Sequence, residues 1–166
     1  MDSFEVLKAL RTQGEGVFEP GSAAETDALA RFEDFFSHLT VEAVEAKVPG
    51  TYAPDVWFND TLKTVNGLDH LVEYLRGSAE ASEDVRVQIV ETTRTEHGDY
   101  YVRWKMMIRF KKFARGQDPW TIGTSHIRFN DAGRITYQQD YWDSADGIFE
   151  HVPLLGHGIR AIKRRV

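Results

Sequence analysis

The chain has 166 residues, 42% hydrophobic and 28% charged, with a formal net charge of −6 and no cysteine. That length makes one domain with core enough to need no staple, and the missing thiols exclude disulfides, thiolate metal sites and a cysteine nucleophile. The acidic balance argues against general nucleic-acid binding. No apolar run approaches the ~20 residues of a membrane span, and Met1-Asp2-Ser3-Phe4 lacks the basic start of a signal peptide, so a cytoplasmic location is expected.

Residues 1–21 hold a brief apolar pattern (Phe4, Val6, Leu7, Leu10) followed by Gly14, Gly16, Pro20 and Gly21, and are expected to form a loosely attached arm. Residues 22–166 are expected to be a single domain. Ser22 and Glu25 have capping-box spacing, and Leu29, Phe32, Phe36 and Leu39 recur on one helical face. Thr40 then caps a second helix, with Val41, Val44 and Val48 inward, that Pro49-Gly50 ends. A strand from Val56 to Asp60, a polar loop through Asn66-Gly67 and a third helix bearing Leu68, Leu71, Val72 and Leu75 follow. The small, acidic stretch from Gly77 to Asp84 reads as a connector.

From Val85 the period changes from helical to two. Val102, Trp104, Met106, Ile108 and Phe110 form one face of the longest strand; Tyr101, Arg103, Lys105, Met107, Arg109 and Lys111 form the other. Two further strands flank the turn formers Asn130-Asp131-Ala132-Gly133. A turn with two or four central residues pairs Ser125 with Gln138, Gly123 with Asp140 and Thr121 with Trp142. One face then carries Thr121, Gly123, Ser125, Gln138, Asp140 and Trp142, with Asp140 opposite a residue that has no side chain. A turn over 114–119 places Met106 opposite Ser125 and Ile108 opposite Gly123. The chain closes with Ile148, Phe149, Val152, Leu154 and Leu155, then a short basic helix from Ile159 to Val166. Helices followed by long antiparallel strands make an α+β fold, the sheet curling around the Phe-rich first helix.

In its order and spacing of Tyr52-Ala53, Asp55 to Asp60, Gly67 and Ser125 to Arg134, the chain resembles the nuclear transport factor 2-like superfamily, in its SnoaL-like and ketosteroid isomerase-like branch. The resemblance covers roughly residues 24 to 143 and implies a cone-shaped, cystatin-like fold: a curved, mainly antiparallel sheet wrapped around N-terminal helices, open to a ligand pocket and often dimeric through the sheet. Ketosteroid isomerases use an Asp base with an oxyanion hole of a Tyr and a neutral Asp. By resemblance Asp60 takes the place of the base, Ser125 that of the neutral acid, and Phe32 or Phe36 that of the Tyr, so two of three roles are not reproduced. SnoaL-type polyketide cyclases use an acidic pocket residue as acid/base, a place Asp140 can hold.

The candidate catalytic residues are therefore Asp140 and Asp60, since a buried carboxylic acid near a second one can move a proton near neutrality. The alternative is that Asp60 caps the loop before the third helix and Asp140 is held by a buried partner such as Gln138. Ser125, Gln138, Trp104, Met106, Trp142, Phe58, Phe36 and Phe32 are candidate substrate-binding residues; the aromatic ones among them equally suit plain core filling. His126 falls on the outer face as a satisfied or interface histidine. The other histidines form no ligand pattern, and no metal or cofactor is expected. The basic groups Lys111, Lys112, Arg115, Arg160, Lys163, Arg164 and Arg165 read as solvated. The expected partners are a small-molecule ligand and a second copy, through an outer face bearing Tyr101, Met107, Tyr137 and Tyr141. Acid–base chemistry of isomerase, cyclase or lyase type on a largely apolar cyclic or polyketide-like substrate is the expected function; the alternative is a non-catalytic ligand-binding or dimeric interaction module.

Overall fold

A computed structural model describes residues 2–14, 18–112, 118–152 and 155–165. Helix α2 (Ala23–Phe36) starts where the capping pattern places it, with the Glu25 N–H donating to Ser22 Oγ at 3.2 Å. Its inner face is Ala28, Phe32 and Phe35. Helix α3 (Val41–Thr51) is capped by Thr40, whose Oγ1 accepts from the Ala43 N–H at 3.1 Å, and buries Val44 and Val48 completely. It runs past Pro49. In a final turn proline forfeits one bond and little else, and the Thr51 hydroxyl donates to Lys47 O at 2.9 Å.

Strand β1 (Tyr52–Asn59) begins earlier than its apolar run, and β2 (Thr64–Asn66) occupies what reads in sequence as a polar loop. Helix α4 (Leu68–Ala81) crosses Gly77 and replaces the expected connector. Leu71, Leu75 and Ala79 carry one buried stripe through it, which outweighs the ~1 kcal/mol cost of one glycine. Strands β3 (Ser82–Arg94), β4 (Tyr100–Phe110), β5 (Trp120–Phe129) and β6 (Ile135–Trp142) follow, then α5 (Ser144–Gly147), a 3₁₀ turn (Phe149–His151) and α6 (Leu155–Lys163). The expected Leu154 contact and Arg115 lie outside the described residues, as does most of the β4–β5 turn.

The strands form one sheet in the order β2-β1-β6-β5-β4-β3, antiparallel except where β1 meets β6. Its inner face packs on α2, α3 and α4 through Phe32, Phe35, Val44, Leu71, Val102, Ile127 and Phe129. This is the expected cone-shaped α+β architecture, a curved sheet wrapped around helices.

The strand faces match the alternation, but both registers differ. Asn130 N–H donates to Arg134 O at 2.8 Å, so the β5–β6 turn holds three residues, with Gly133 at φ 68°. A bulge beside Phe129 then adds one more step. Ser125 therefore pairs with Asp140, Ile127 with Gln138 and Gly123 with Trp142. Across β4, Gly123 opposes Trp104 and Ser125 opposes Val102. Each slip is even, so every side chain keeps its face while changing its partner.

Residues 1–21 are not a loose arm throughout. Helix α1 (Ser3–Thr12) lies on the outer sheet face, where Leu7, Trp57 and Tyr137 form a second small core with Val6 and Leu10. Asp99, wholly buried, accepts from Arg11 Nε (2.9 Å), Arg128 Nη1 (2.5 Å) and His126 Nε2 (3.2 Å). Ser3 Oγ and Tyr137 Oη share a hydrogen bond of 2.5 Å. The apolar faces of a short helix and the sheet outside cover one another, and a buried ion cluster fixes their register. Tyr137, beneath α1, is thus buried within the single chain; Met107, also expected at an outer interface, is buried as well.

Candidate active site

The inner face of β4, β5 and β6 meets α2 and α4 around a cavity of about 240 Å³. Asp60, Asp140, Gln138, Trp104, Met106, Trp142, Phe58 and Phe36, all candidates from the sequence, line it. Two expected residues do not. Phe32 stacks behind Phe36, ring centroids 4.9 Å apart, because one helical turn puts it deeper in the core. Ser125 is fully buried beneath Asp140.

A row across three strands, Trp104–Gly123–Trp142, shapes the cavity floor. A Cβ on Gly123 would lie 2.3 Å from Trp104 Cη2 and 2.7 Å from Trp142 Cβ. The glycine's missing side chain accommodates an indole rather than a ligand. Trp104 lies edge-on to Phe36 at 5.7 Å, and its Nε1–H donates to Ser125 Oγ at 2.9 Å.

From there a directional chain of hydrogen bonds reaches the carboxyl of Asp140. The Ser125 hydroxyl accepts from the indole and donates to Asp140. On the other side, Tyr52 Oη donates to Gln138 Oε1 (2.7 Å), and Gln138 Nε2 donates to Asp140 Oδ1 (2.9 Å). The Tyr52 hydroxyl thereby fixes the amide with its NH₂ toward the acid. Burial pushes Asp140 up to about 7, against the pull of Ser125 and Gln138, with a further upward contribution from the nearby charge of Asp60. Burial likewise holds Tyr52 well above the usual phenol range.

Asp60 is differently placed. Its Oδ1 accepts from the Leu62 and Lys63 N–H groups at 3.0 and 2.9 Å, and its Oδ2 accepts from Tyr74 Oη at 2.5 Å. Trp142 Nε1–H donates to the Asp60 carbonyl at 2.7 Å. The loop it ties holds Thr61 at φ 73°, a conformation that costs a β-branched residue of order 1–2 kcal/mol. The geometry fits the loop-capping alternative and also keeps a carboxylate at the cavity edge.

Tyr52, Tyr74, Ser78 and Ser82 complete the polar lining and were missed from sequence. Leu71, Tyr74, Leu75 and Ser78 share helical spacing, so the stripe of α4 held the signal for two of them. Tyr52, ahead of a proline, carried none. His126 is buried on the outer side, satisfied by Asp99 and packed 4.4 Å from the Tyr101 ring. No group of three or more potential metal ligands occurs among the described residues, and none of the described helices is long and apolar enough to cross a membrane.

Residues 29–138 match the SnoaL-like domain family. Among solved structures, an NTF2-like protein of unknown function from Exiguobacterium sp. 255-15 is 21% identical, covering 70% of this chain and 98% of its own, with a TM-score of 0.59. An LEH-like epoxide hydrolase from M. tuberculosis is 16% identical, covering 89% of this chain and 100% of its own, with a TM-score of 0.60. A provisionally assigned SnoaL-like polyketide cyclase from Jannaschia sp. CCS1 is 13% identical, covering 79% of this chain and 96% of its own, with a TM-score of 0.62. At these identities the likeness is one of fold. No curated protein matches the chain. The fold is that of NTF2-like proteins, and the family match spans well over half of the sequence: the chain belongs to the SnoaL-like domain family.

Proposed function

We propose that the cavity is the active site of an acid–base enzyme of isomerase, cyclase or lyase type, acting on a largely apolar cyclic or polyketide-like substrate. Asp140 is the group that moves the proton. The observation that carries this reading is its position, buried and facing an apolar cavity, where burial raises its acid to about 7. As carboxylate it takes a proton from a carbon beside a carbonyl. As acid it returns that proton to another atom; in ring closure the enolate carbon bonds a second carbonyl carbon, whose π pair moves to oxygen, and that oxygen takes the proton from Asp140 as a hydroxyl. Asp60 sets the local charge and the mouth of the cavity.

Steroid isomerisation of the known type is not expected, since Ser125 is committed to Asp140 and Phe32 and Phe36 donate nothing. The test is hydrogen–deuterium exchange beside the carbonyl of cyclic ketones, followed by NMR in heavy water. Wild-type protein should catalyse exchange that falls at least about 10²-fold in Asp140→Asn. Ligand binding with no exchange on any ketone would favour the non-catalytic alternative, and full exchange by Asp140→Asn with loss in Asp60→Asn would move the base to Asp60.

A homodimer through the outer face belongs to the same reading. Helix α1 covers one part of that face, and Tyr101, Trp120, Ile122 and Tyr141 stay 41–65% exposed on the rest. Sedimentation should give about twice the 19.0 kDa chain mass; a monomer at micromolar concentration would remove the interface.

A further inference from the structure

The polar groups of the cavity wall point to the charge of what it holds. No Lys, Arg or His occurs among the described lining residues, whereas two carboxylic acids do. The hydroxyl and indole donors of the wall are already used within the protein. Tyr52 Oη donates to Gln138, Tyr74 Oη to Asp60, Ser78 Oγ to Tyr74 O (3.1 Å), Ser82 Oγ to Ser78 O (3.0 Å), and the indoles of Trp104 and Trp142 to Ser125 and Asp60 O. What remains on offer is the second N–H of Gln138, the acid proton of Asp140 in its neutral form, and acceptor capacity. A carboxylate has about four lone-pair sites, and Asp140 accepts from two protein donors, Gln138 and Ser125.

The rest of the wall is aromatic. Phe36 and Trp104 meet edge-to-face, and Phe58 and Tyr74 are tilted at 55°, so the rings of the wall lie at several angles to one another. An anionic ligand would place a third negative centre beside Asp60 and Asp140, in an apolar cavity with no counter-ion to repay its desolvation. A ligand whose polar group only accepts would find one Gln138 N–H and, while Asp140 is neutral, its acid proton, with the hydroxyl and indole donors of the wall spent. An ammonium group meets both conditions, as donor to a carboxylate and as cation against π faces. The volume, about 240 Å³, exceeds the ~150 Å³ of an apolar cavity that admits benzene.

We infer that the ligand is a basic amine with an apolar ring or chain, bound as its ammonium ion to Asp140 against the aromatic wall. The inference rests on reading the cavity as a ligand site and names the chemical class that the site takes.

Three probes of one skeleton test it: N,N-dimethylcyclohexylamine, cyclohexyl methyl ketone and cyclohexanecarboxylate. Each is titrated into the full chain at neutral pH, read by tryptophan fluorescence and calorimetry, with competition to establish a shared site. The amine should bind at least about tenfold more tightly than the ketone, with the carboxylate weakest. Asp140→Asn should lose at least about tenfold in amine affinity while ketone affinity moves by less than about threefold. Ketone or carboxylate binding as tightly as the amine at the shared site would overturn the inference and leave the cavity a ligand site. Binding by none of the three would overturn both. The wild-type ranking decides even if the variant folds poorly.

Discussion

Replacing Asp140 by asparagine should stabilise the protein at alkaline pH while removing its proposed chemistry. The side chain is buried, and burial raises its acid from the ordinary 3.8 to about 7. Between those two values the native state holds a proton that the unfolded chain releases. Stability therefore falls as pH rises through the window, and the cost levels off above about 7. A shift of roughly three units at 1.36 kcal/mol each amounts to about 4 kcal/mol. Asparagine has the shape of the protonated acid and never ionises, so Asp140→Asn should match the wild type near pH 4 and exceed it by about 4 kcal/mol near pH 8. Urea unfolding of both proteins across that range gives the difference directly, with other titrating groups cancelling. Asp99 does not confuse it, since its acid is depressed to about 2 and its stabilisation is lost only in stronger acid. A difference that is flat with pH, or one that favours the wild type as pH rises, would refute the burial argument and with it the poise of the proposed proton donor.

Three other substitutions probe the frame around that acid. Gly123→Ala puts a methyl group where the Trp104 ring lies, 2.3 Å from Cη2, and should cost about 1–3 kcal/mol in urea unfolding; an unchanged midpoint would mean that the indole yields freely. Trp104→Ala removes a fully buried ring and the donor to Ser125, and should cost about 3–5 kcal/mol, against the null of an unchanged transition. Arg11→Ala deletes two hydrogen bonds to the buried Asp99 and should cost about 1.5–3 kcal/mol. It should also speed limited proteolysis within residues 2–14, and unchanged cleavage would show that Leu7 and its neighbours hold α1 alone.

The architecture was legible because the period changes are long and clean. Val102, Trp104, Met106, Ile108 and Phe110 alternate without a break, and a strand face read that way survives any even slip of register. The pairing itself was not legible. It turned on whether the loop at 131–133 held an odd number of residues and on a bulge beside Phe129, and backbone events of that kind leave little trace in residue types. The consequence was local but chemical: Asp140 faces Ser125 instead of Gly123, so an expected open space is a hydrogen bond. The placement of α1 was hidden for a different reason. Its apolar residues occupy barely three turns before a glycine-rich stretch, and nothing nearby in sequence identifies Trp57, Asp99 and Tyr137 as its partners.

Hydrogen-bond accounting separates the two acids that sequence alone left level. Each oxygen of Asp60 is engaged, one by two backbone N–H groups of its own loop and the other by Tyr74. Those bonds tie the side chain to a turn whose backbone depends on it, so any role as a base would have to disturb the loop. Asp140 has no backbone donor among its hydrogen bonds. Its partners are two side chains, each oriented by a further residue: Ser125 by the Trp104 indole and Gln138 by the Tyr52 hydroxyl. A group held by side chains in an apolar surround can change its charge without moving the main chain. That difference in what a protonation change would disturb is why we propose the proton-transfer role for Asp140 and the structural one for Asp60.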